Sequence, residues 1–214
     1  MTSLAEVPHD CPLCPRLVAY REANARAHPD WFNGPVPSFG SANARLLIVG
    51  LAPGVTGANR TGRPFTGDYA GDLLYSTLKK FGFSKGIFEA RADDGLELVD
   101  AMISNAVRCV PPQNKPTPLE EKTCRPFLVN RIEALPNLKA ILALGRIAHE
   151  NVLSTFGATK ARNPFGHQAS HELKPGLRLF DSYHCSRYNT NTGRLTTEMF
   201  HAVFADLRAF LDAS

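Results

Sequence analysis

Apolar residues along the chain fall into two kinds of stretch that alternate. Short aliphatic runs followed by turn-forming residues are typical of buried strands, and longer stretches with near-helical apolar spacing are typical of amphipathic helices. The strand candidates are residues 45–50, 101–107, 139–145 and 176–183. The helix candidates are residues 12–25, 69–81, 118–135, 145–156 and 195–212.

Helices that alternate with strands predict a parallel sheet, because parallel neighbours need a long crossover connection. The pattern therefore predicts an α/β fold, a three-layer α/β/α sandwich around a central four-stranded parallel sheet. No repeat, low-complexity tract or linker divides the 214 residues, so a single domain over residues 1–214 is expected.

Three loops that follow predicted strands are rich in polar and glycine residues. They read GLAPGVTGANRTGRPFTGD at 50–68, RCVPPQNKPTP at 108–118 and HCSRYNTNTGR at 184–194. Ligands of open parallel sheets bind beyond the carboxyl ends of the strands. Asp68, Asn114 and His184 are therefore expected to converge at that edge.

Composition and charge set broad limits on function. A hydrophobic content of 43% supplies a core, and a net charge of +4 permits an anionic partner without requiring one. No run of eighteen apolar residues occurs, and the N-terminal MTSLAEVPHDC lacks the profile of a signal peptide. A cytoplasmic protein without a membrane partner is expected.

Four of the five cysteines have spacings that indicate a metal centre. Cys11 and Cys14 form a C-x-x-C pair, and Cys109 and Cys124 are separated by fourteen residues. Four-cysteine zinc sites usually have two short-spaced pairs, but spacing alone leaves an iron-sulfur cluster and zinc equally open, with no metal as the third choice. Cys185 is interpreted as a packing residue.

Three long motifs resemble those of the iron-sulfur uracil-DNA glycosylases of the fifth family, or type b. They are GLAPG followed by NRTGRPFTGD, the motif H-x-S-R-x-N-T-x-T-G-R-L-T at 184–196, and the cysteines around C-x-P-P-x-N-K-P-T-P. The resemblance covers most of the chain. It implies a four-stranded parallel sheet with flanking helices, a 4Fe-4S cluster on the four cysteines, and hydrolytic excision of uracil and other damaged bases from DNA by a monofunctional enzyme.

Two positions depart from related sequences. The type a family usually has Glu after the first Gly of the first motif, whereas Leu51 stands there and cannot activate water. The resemblance to type b assigns that role to Asp68. Cys185 stands where relatives often have Pro or Val, a change expected to affect loop stiffness more than chemistry.

The resemblance gives the candidate site residues their roles in the reaction. Positive charge develops on the sugar and negative charge on the departing base when the glycosidic bond breaks. Asp68 is expected to stabilise the sugar and orient water, and His184 to donate an N–H to the base. Asn114 is expected to position the water or the nucleotide. The base-binding residues are expected to be Gly50, Ala52, Phe65, which stacks on the base, and Asn105.

DNA contacts are expected from basic residues and from residues 184–194, here called the histidine loop. The positive charge is expected from Arg60, Arg63, Lys115, Arg187 and Arg194. Arg187, Tyr188 and Asn189 are expected to wedge into the duplex beside the flipped base. A monomer bound to duplex DNA is the expected state.

Each candidate also has an ordinary structural interpretation. Asp68 suits a helix N-cap, Asn114 a turn residue, His184 a structural histidine and Phe65 a core residue. Two other functions stay open, a redox iron-sulfur protein and a non-catalytic module that binds nucleic acid or a phosphorylated ligand. All three motifs together favour the enzyme.

Overall fold

A six-stranded sheet forms the centre of the computed structural model, which describes residues 6–213. The strands of the protein are β1 (Phe39–Gly40), β2 (Leu46–Gly50), β3 (Ser84–Lys85), β4 (Glu97–Leu98), β5 (Ala101–Asn105), β6 (Ala140–Leu144), β7 (Ser170–Lys174) and β8 (Leu177–Ser182). The sheet order is β1-β5-β2-β6-β8-β7, and β3 pairs with β4 in a separate small ladder. The four predicted strands form the parallel part, β5-β2-β6-β8.

Within residues 6–213, seven α-helices accompany the strands. They are α1 (Pro15–Ala27), α2 (Ala58–Thr61), α3 (Tyr69–Lys80), α4 (Pro118–Glu133), α5 (Arg146–Thr155), α6 (Arg187–Asn191) and α7 (Thr197–Asp212). Thr117 and Glu120 form a capping box at the start of α4, and the Thr196 side chain caps α7. These caps satisfy backbone N–H groups that a helix start leaves free, which fixes where each helix begins.

Helices cover both faces of the sheet. Along β2, Leu46 and Ile48 pack into one apolar cluster with residues of α3 and α7, whereas Leu47 and Val49 pack into a second cluster with residues of α4 and α5. Side chains alternate between the two faces of a strand, so a continuous apolar run is what a strand covered on both faces requires. The predicted three-layer α/β/α class is confirmed.

The predicted strand count is too low, because antiparallel strands extend both edges of the sheet. β1 pairs with β5, and β7 pairs with β8 through a turn at Pro175 and Gly176, where Gly176 has φ of 78°. β7 reads SHELK, with one face exposed and only His171 and Leu173 half-buried on the other, so it lacks the apolar run used to recognise the other strands. The Pro-Gly pair was the available signal for this hairpin.

Membrane insertion through a helix is not indicated. Within residues 6–213, no helix has both the length and the apolar character that a transmembrane segment needs.

Candidate functional site

A cavity of about 400 Å³, here called the strand-end cavity, opens at the carboxyl ends of β2, β5 and β8. Asp68, Asn114 and His184 all line it, although they come from three loops that are distant in sequence. The predicted convergence of the three loops is confirmed. The catalytic roles of these residues stay predictions.

Gly50 leaves room for two side chains that form the back of the strand-end cavity. A Cβ atom at this position would lie 2.5 Å from Asn105 Oδ1 and 2.7 Å from the Phe65 ring. Asn105 is 3% exposed and lines the cavity, and no described group hydrogen-bonds its amide. The Asn105 amide is therefore available to a ligand, and its place in the base-binding set stays a prediction.

Phe65 forms one wall of the cavity in an unusual backbone conformation. Its φ is 52°, in the left-handed region that a bulky residue rarely adopts. The ring is nearly buried, and its centroid lies 5.8 Å from that of the His184 ring, with 29° between the planes. Backbone strain of this kind persists where the surrounding structure imposes it and is frequent at functional sites.

Asp68 caps α3, as its structural interpretation expected, and it also lines the strand-end cavity. Its Oδ1 accepts a hydrogen bond of 3.3 Å from the Gly71 backbone N–H at the start of α3. Its Oδ2 faces the glycine-rich segment at residues 50–68, here called the glycine loop. A Cβ atom added at Gly57 would lie 2.5 Å from this oxygen. Burial raises the pKa of Asp68, while backbone N–H groups of Gly71 and Ala70 oppose that rise by stabilising the carboxylate.

His184 is a neutral imidazole at neutral pH. Partial burial in the cavity wall lowers its pKa to about 4, because reduced contact with water disfavours the charged ring. No described group hydrogen-bonds the ring, whereas the backbone carbonyl of His184 accepts a bond of 2.8 Å from Asn189 Nδ2. The imidazole is therefore free to interact with a ligand while its backbone is held in place.

This use of Asn189 differs from the expected one. The predicted wedge function would require its amide to reach DNA, but the amide is half-buried and already bonded to the loop it belongs to. Tyr188 is the residue of this segment that projects outward, with 73% of its surface exposed. Arg187 is exposed as well and lies over the Tyr69 ring at 5.2 Å. Tyr69 also lines the cavity, and nothing in the sequence marked it beyond its place next to Asp68.

Asn114 lies at the cavity rim in a strained turn. It is exposed and ends a short 3-10 turn, Pro112–Asn114. Gln113 and Asn114 have φ of 56° and 57°, so two consecutive residues other than glycine are left-handed. Such a turn directs the Asn114 side chain into the cavity at a conformational cost, as strained functional loops commonly do.

The prediction that Arg63 contacts DNA is wrong. Arg63 is 4% exposed and forms a bidentate ion pair with Asp94, with both N to O distances at 2.7 Å. The guanidinium also lies within 5.6 Å of the centroids of the Phe39, Tyr75 and Phe88 rings. Arg63 therefore anchors the glycine loop to the protein. The other three predicted basic contacts outside the wedge segment, Arg60, Lys115 and Arg194, are exposed.

Cys11, Cys14, Cys109 and Cys124 line a second cavity, here called the cysteine cavity. All four are free thiols, and the walls around them are apolar, with Leu17, Val107 and Phe127 among the lining residues. Glu6 pairs with Arg108 at 3.1 Å and with Arg131. These ion pairs hold the N-terminal segment against the rest of the protein and so bring the C-x-x-C pair to the other two cysteines.

The donors around the cysteine cavity suit anionic sulfur. Arg21 Nη1 donates to Cys109 Sγ, and the Arg108 backbone N–H donates to Cys124 Sγ, both at 3.4 Å. Burial raises the pKa of Cys109 to about 11 and that of Cys124 to about 12. Thiolates at these positions therefore need a bound cation, which a metal centre supplies.

Within residues 6–213, the four cysteines do not meet as one close group of metal ligands. Among residues 6–213, one group of three ligating residues has all its ligand atoms within 4.8 Å of one another, and it contains none of these cysteines. Tetrahedral zinc would hold its thiolates roughly 3.8 Å apart. An iron-sulfur cluster accepts wider spacing, because each thiolate binds a different iron.

The two cavities share a wall. Ala52 lines the strand-end cavity and also packs against the apolar residues of the cysteine cavity. Behind it, the backbone N–H of Val107 donates to the Leu51 carbonyl at 2.9 Å. Asn105 in one cavity is only four residues from Cys109 in the other, so the segment between them connects the two sites.

Comparison with known proteins identifies one family. The family model described as the uracil DNA glycosylase superfamily matches residues 37–208. The chain is 47% identical over 204 residues to a type-5 uracil-DNA glycosylase of Thermus thermophilus, a match that covers 92% of each chain. It is 41% identical over 208 residues to a type-5 uracil-DNA glycosylase of Pyrobaculum aerophilum, covering 95% of this chain and 89% of that one.

A type-4 uracil-DNA glycosylase of Pyrobaculum aerophilum is more distant. It is 33% identical over 158 residues, covering 73% of this chain and 66% of its own length. The resemblance to the fifth family that the motifs indicated is confirmed.

Proposed function

The chain belongs to the type-5 family of the uracil-DNA glycosylase superfamily, and we propose that it excises uracil from DNA by hydrolysis and leaves an abasic site. The observation that carries this proposal is the strand-end cavity, which brings a neutral His184, the Asp68 carboxylate and the Phe65 ring together in about 400 Å³. That volume suits a flipped nucleobase with part of its sugar. The enzyme is a monofunctional N-glycosylase of base excision repair.

His184 stabilises the departing base. As the glycosidic bond breaks, negative charge collects on the base, and an imidazole N–H bonds more strongly to it than to the neutral base. Because burial keeps the ring neutral, the donor is in place without prior protonation. The Asn189 amide, bonded to the His184 carbonyl, positions this loop for the reaction.

Asp68 acts on the opposite side of the scissile bond. Its carboxylate stabilises the positive charge of the sugar and orients or deprotonates the attacking water. The cap bond from Gly71 fixes one carboxylate oxygen, so the other is held toward the cavity without loss of conformational entropy during the reaction. Asn114, at the rim, offers an amide that positions the water or the nucleotide.

Base recognition is assigned to the back of the strand-end cavity. The free Asn105 amide has a donor and an acceptor for the polar edge of the base, and the Phe65 ring stacks on its face. Gly50 and Ala52 leave room beside them. Leu51 adds an apolar lining, so we expect other deaminated or damaged bases to be accepted as well.

DNA is bound on the surface around this cavity. Arg60, Lys115, Arg187 and Arg194 supply the charge for phosphate contacts, and Tyr188 enters the duplex beside the flipped nucleotide. One apolar core on each face of a single sheet supports a single domain over residues 1–214, which we propose to act as a monomer in the cytoplasm.

The four cysteines are assigned to a 4Fe-4S cluster. Four free thiols, apolar walls and N–H donors aimed at two of the sulfurs fit such a group. The cluster supplies structural cohesion, since it ties the N-terminal segment to the chain that follows β5. No electron transfer is assigned to the excision reaction.

The decisive experiment is a single-turnover assay on labelled duplexes with one uracil, hypoxanthine, xanthine or ethenocytosine. We expect brown protein that converts at least the uracil duplex to an abasic product, detected by alkaline strand cleavage. Replacing His184 by Ala should slow base release by about 100-fold, as loss of an oxyanion donor does. Absence of cleavage on every duplex would refute the proposal and favour a non-catalytic binding module.

A further inference from the structure

A third polar cluster lies apart from both cavities, between α5 and the β7-β8 hairpin. It consists of His149 of α5, His171 of β7 and Asp181 of β8. On β8, Leu177 and Leu179 face the apolar layer beneath α5, and Asp181 continues that face with no exposed surface. A carboxylate in such a layer is costly unless it is paired with a cation.

The hydrogen bonds of His149 show that a cation belongs in this cluster. His149 Nε2 lies 3.0 Å from the Asn163 carbonyl oxygen, which can only accept, so this nitrogen carries a proton. In a neutral ring, the remaining nitrogen, Nδ1, has a lone pair and no proton. Nδ1 faces Asp181 Oδ1 at 2.7 Å. Two electron donors therefore face each other, and either a proton or a metal ion must lie between them.

Two unpaired atoms favour the metal ion. Asp181 Oδ2 and His171 Nε2 are both buried, and neither hydrogen-bonds any described group, although they lie 3.5 Å apart. With a proton on His149, these two atoms would have only each other, at 3.5 Å and without hydrogen-bond geometry, which leaves part of the cost typical of buried polar groups. A divalent ion would use His149, His171 and Asp181 together. The ligand atoms of the three already lie within 4.8 Å of one another.

We propose that His149, His171 and Asp181 bind a divalent transition metal ion, with zinc the best match to two imidazoles and one carboxylate. The His149 bond to the Asn163 carbonyl is the outer contact that metal-bound histidines usually make. Ligand atoms on tetrahedral zinc lie roughly 3.3 Å apart, so His149 and Asp181 would separate slightly. The His171 side chain is 12% exposed, so the cluster lies close to the protein surface.

Such an ion would bind α5, β7 and β8 to one another through one ligand from each. Asp181 lies on β8, three residues before His184 in the loop that follows, and its backbone N–H also bonds to the Ala169 carbonyl at 2.9 Å. Metal binding would therefore stiffen the strand that presents the histidine loop, in addition to holding the edge hairpin against α5. The three residues line neither the cysteine cavity nor the strand-end cavity.

The test uses zinc chloride and the complete protein after dialysis against EDTA. Zinc per chain and Tm are measured for the wild type, for His171→Gln, and for His201→Gln, which removes a histidine of α7 that lies outside the cluster. The wild type and His201→Gln should bind one zinc ion more than His171→Gln. Their Tm should rise by about 5 to 10 °C at a zinc concentration 100 times Kd.

Two results of the Tm measurement would overturn the proposal. One is a wild type with no rise in Tm, and the other is an equal rise in His171→Gln, because zinc would then bind elsewhere, for example at the cysteines. Crystals soaked in zinc give a readout that does not depend on how the variants fold. An anomalous peak among the three side chains would support the site, and its absence at saturating zinc would contradict it.

Discussion

The strand-end cavity and the cysteine cavity lie on either side of residues 105–109, yet they differ in whether their polar groups have hydrogen-bond partners in the protein. In the strand-end cavity, the Asn105 amide and the His184 ring have no described hydrogen-bond partner, and the backbone of Phe65 is in the left-handed region. In the cysteine cavity, the thiols are covered by apolar side chains, and two of them accept N–H donors. The first arrangement keeps groups available for a substrate, whereas the second provides cohesion.

This difference separates the expected effects of substitution. Groups held without protein partners contribute little to folding, so their loss should change the excision rate and leave Tm almost unchanged. Substitution of groups that bind a structural centre should lower Tm, and the excision rate should fall only where the fold is lost. A variant that broke this division would show that the shared wall at Ala52 couples the two sites strongly.

The largest effect is expected from Cys109→Ser. Removing one ligand should abolish cluster binding, and the energy of metal binding is part of the folding energy. We expect loss of iron and a fall in Tm of roughly 10 °C or more, measured by metal analysis and thermal unfolding. Cys185→Ser is the matched control, since Cys185 is equally buried but donates to the Ala70 carbonyl and lines neither cavity. Iron retained in Cys109→Ser would contradict the ligand assignment.

Asp68→Asn should show the reverse pattern. Asparagine caps helices as well as aspartate does, so α3 should keep its start and Tm should move little. The substitution removes the negative charge proposed to stabilise the sugar, so single-turnover excision should slow by about 100-fold. This is the lower end of the usual contribution of an acid-base group, because Asn114 and His184 remain. Asp68→Ala should add a loss of about 1 kcal/mol in the free energy of unfolding. An unchanged rate in Asp68→Asn would leave Asp68 as a cap alone.

Gly50→Ala tests the back of the strand-end cavity. The added methyl group would lie 2.5 Å from Asn105 Oδ1 and must displace that amide or the Phe65 ring. We expect uracil excision to fall by roughly tenfold or more, since a displacement near 1 Å in a catalytic site can cost that much. Gly166→Ala is the control, because its new Cβ would make an ordinary contact at 3.5 Å. Equal rates in the two variants would exclude Asn105 and Phe65 from base recognition.

The pH dependence of excision distinguishes the two side chains that we propose to be catalytic, Asp68 and His184. Burial lowers the pKa of His184 to about 4, so the ring is neutral at every pH from 5 to 8 and causes no inflection there. Burial raises the pKa of Asp68, and the active form is the carboxylate. The rate should therefore be flat at neutral pH and fall on the acid side, starting above the usual aspartate range. Asp68→Asn should lose this acid limb, and an inflection near pH 6.5 would contradict the neutral His184.

The sequence was sufficient for the parts of the molecule that follow from periodicity and long motifs. The apolar runs of β2, β5, β6 and β8 are buried on both faces, which is why their pattern was clear. The rule that ligands bind at the carboxyl ends of parallel strands then brought three distant loops to one cavity. β7 was missed because an edge strand that is open to solvent needs no apolar run.

Partner choice among charged residues could not be predicted in the same way. Arg63 lies in the glycine loop among residues with functional roles, but its partner, Asp94, is thirty-one residues away in sequence. The same holds for Asp181, whose two histidine neighbours come from α5 and β7. Such contacts depend on tertiary packing, and no local pattern marks them. Arg21 is a further example, in a helix whose sequence carries no motif.

Arg21 gives the smallest and most specific prediction. Its guanidinium donates to Cys109 Sγ at 3.4 Å and to the Cys11 carbonyl at 3.3 Å, so it joins the two halves of the cysteine cavity. Lysine keeps the charge but lacks the planar fork that reaches both acceptors. Arg21→Lys should fold and excise uracil normally but lose iron to a chelator about tenfold faster, because hydrogen bonds to charged groups contribute about 1.5 kcal/mol or more. Arg26→Lys, at an exposed position of the same helix, should match the wild type. If Arg21→Lys released iron at the wild-type rate, the sulfurs would be held by their ligation alone, and the cohesion of the cysteine cavity would owe nothing to this arginine.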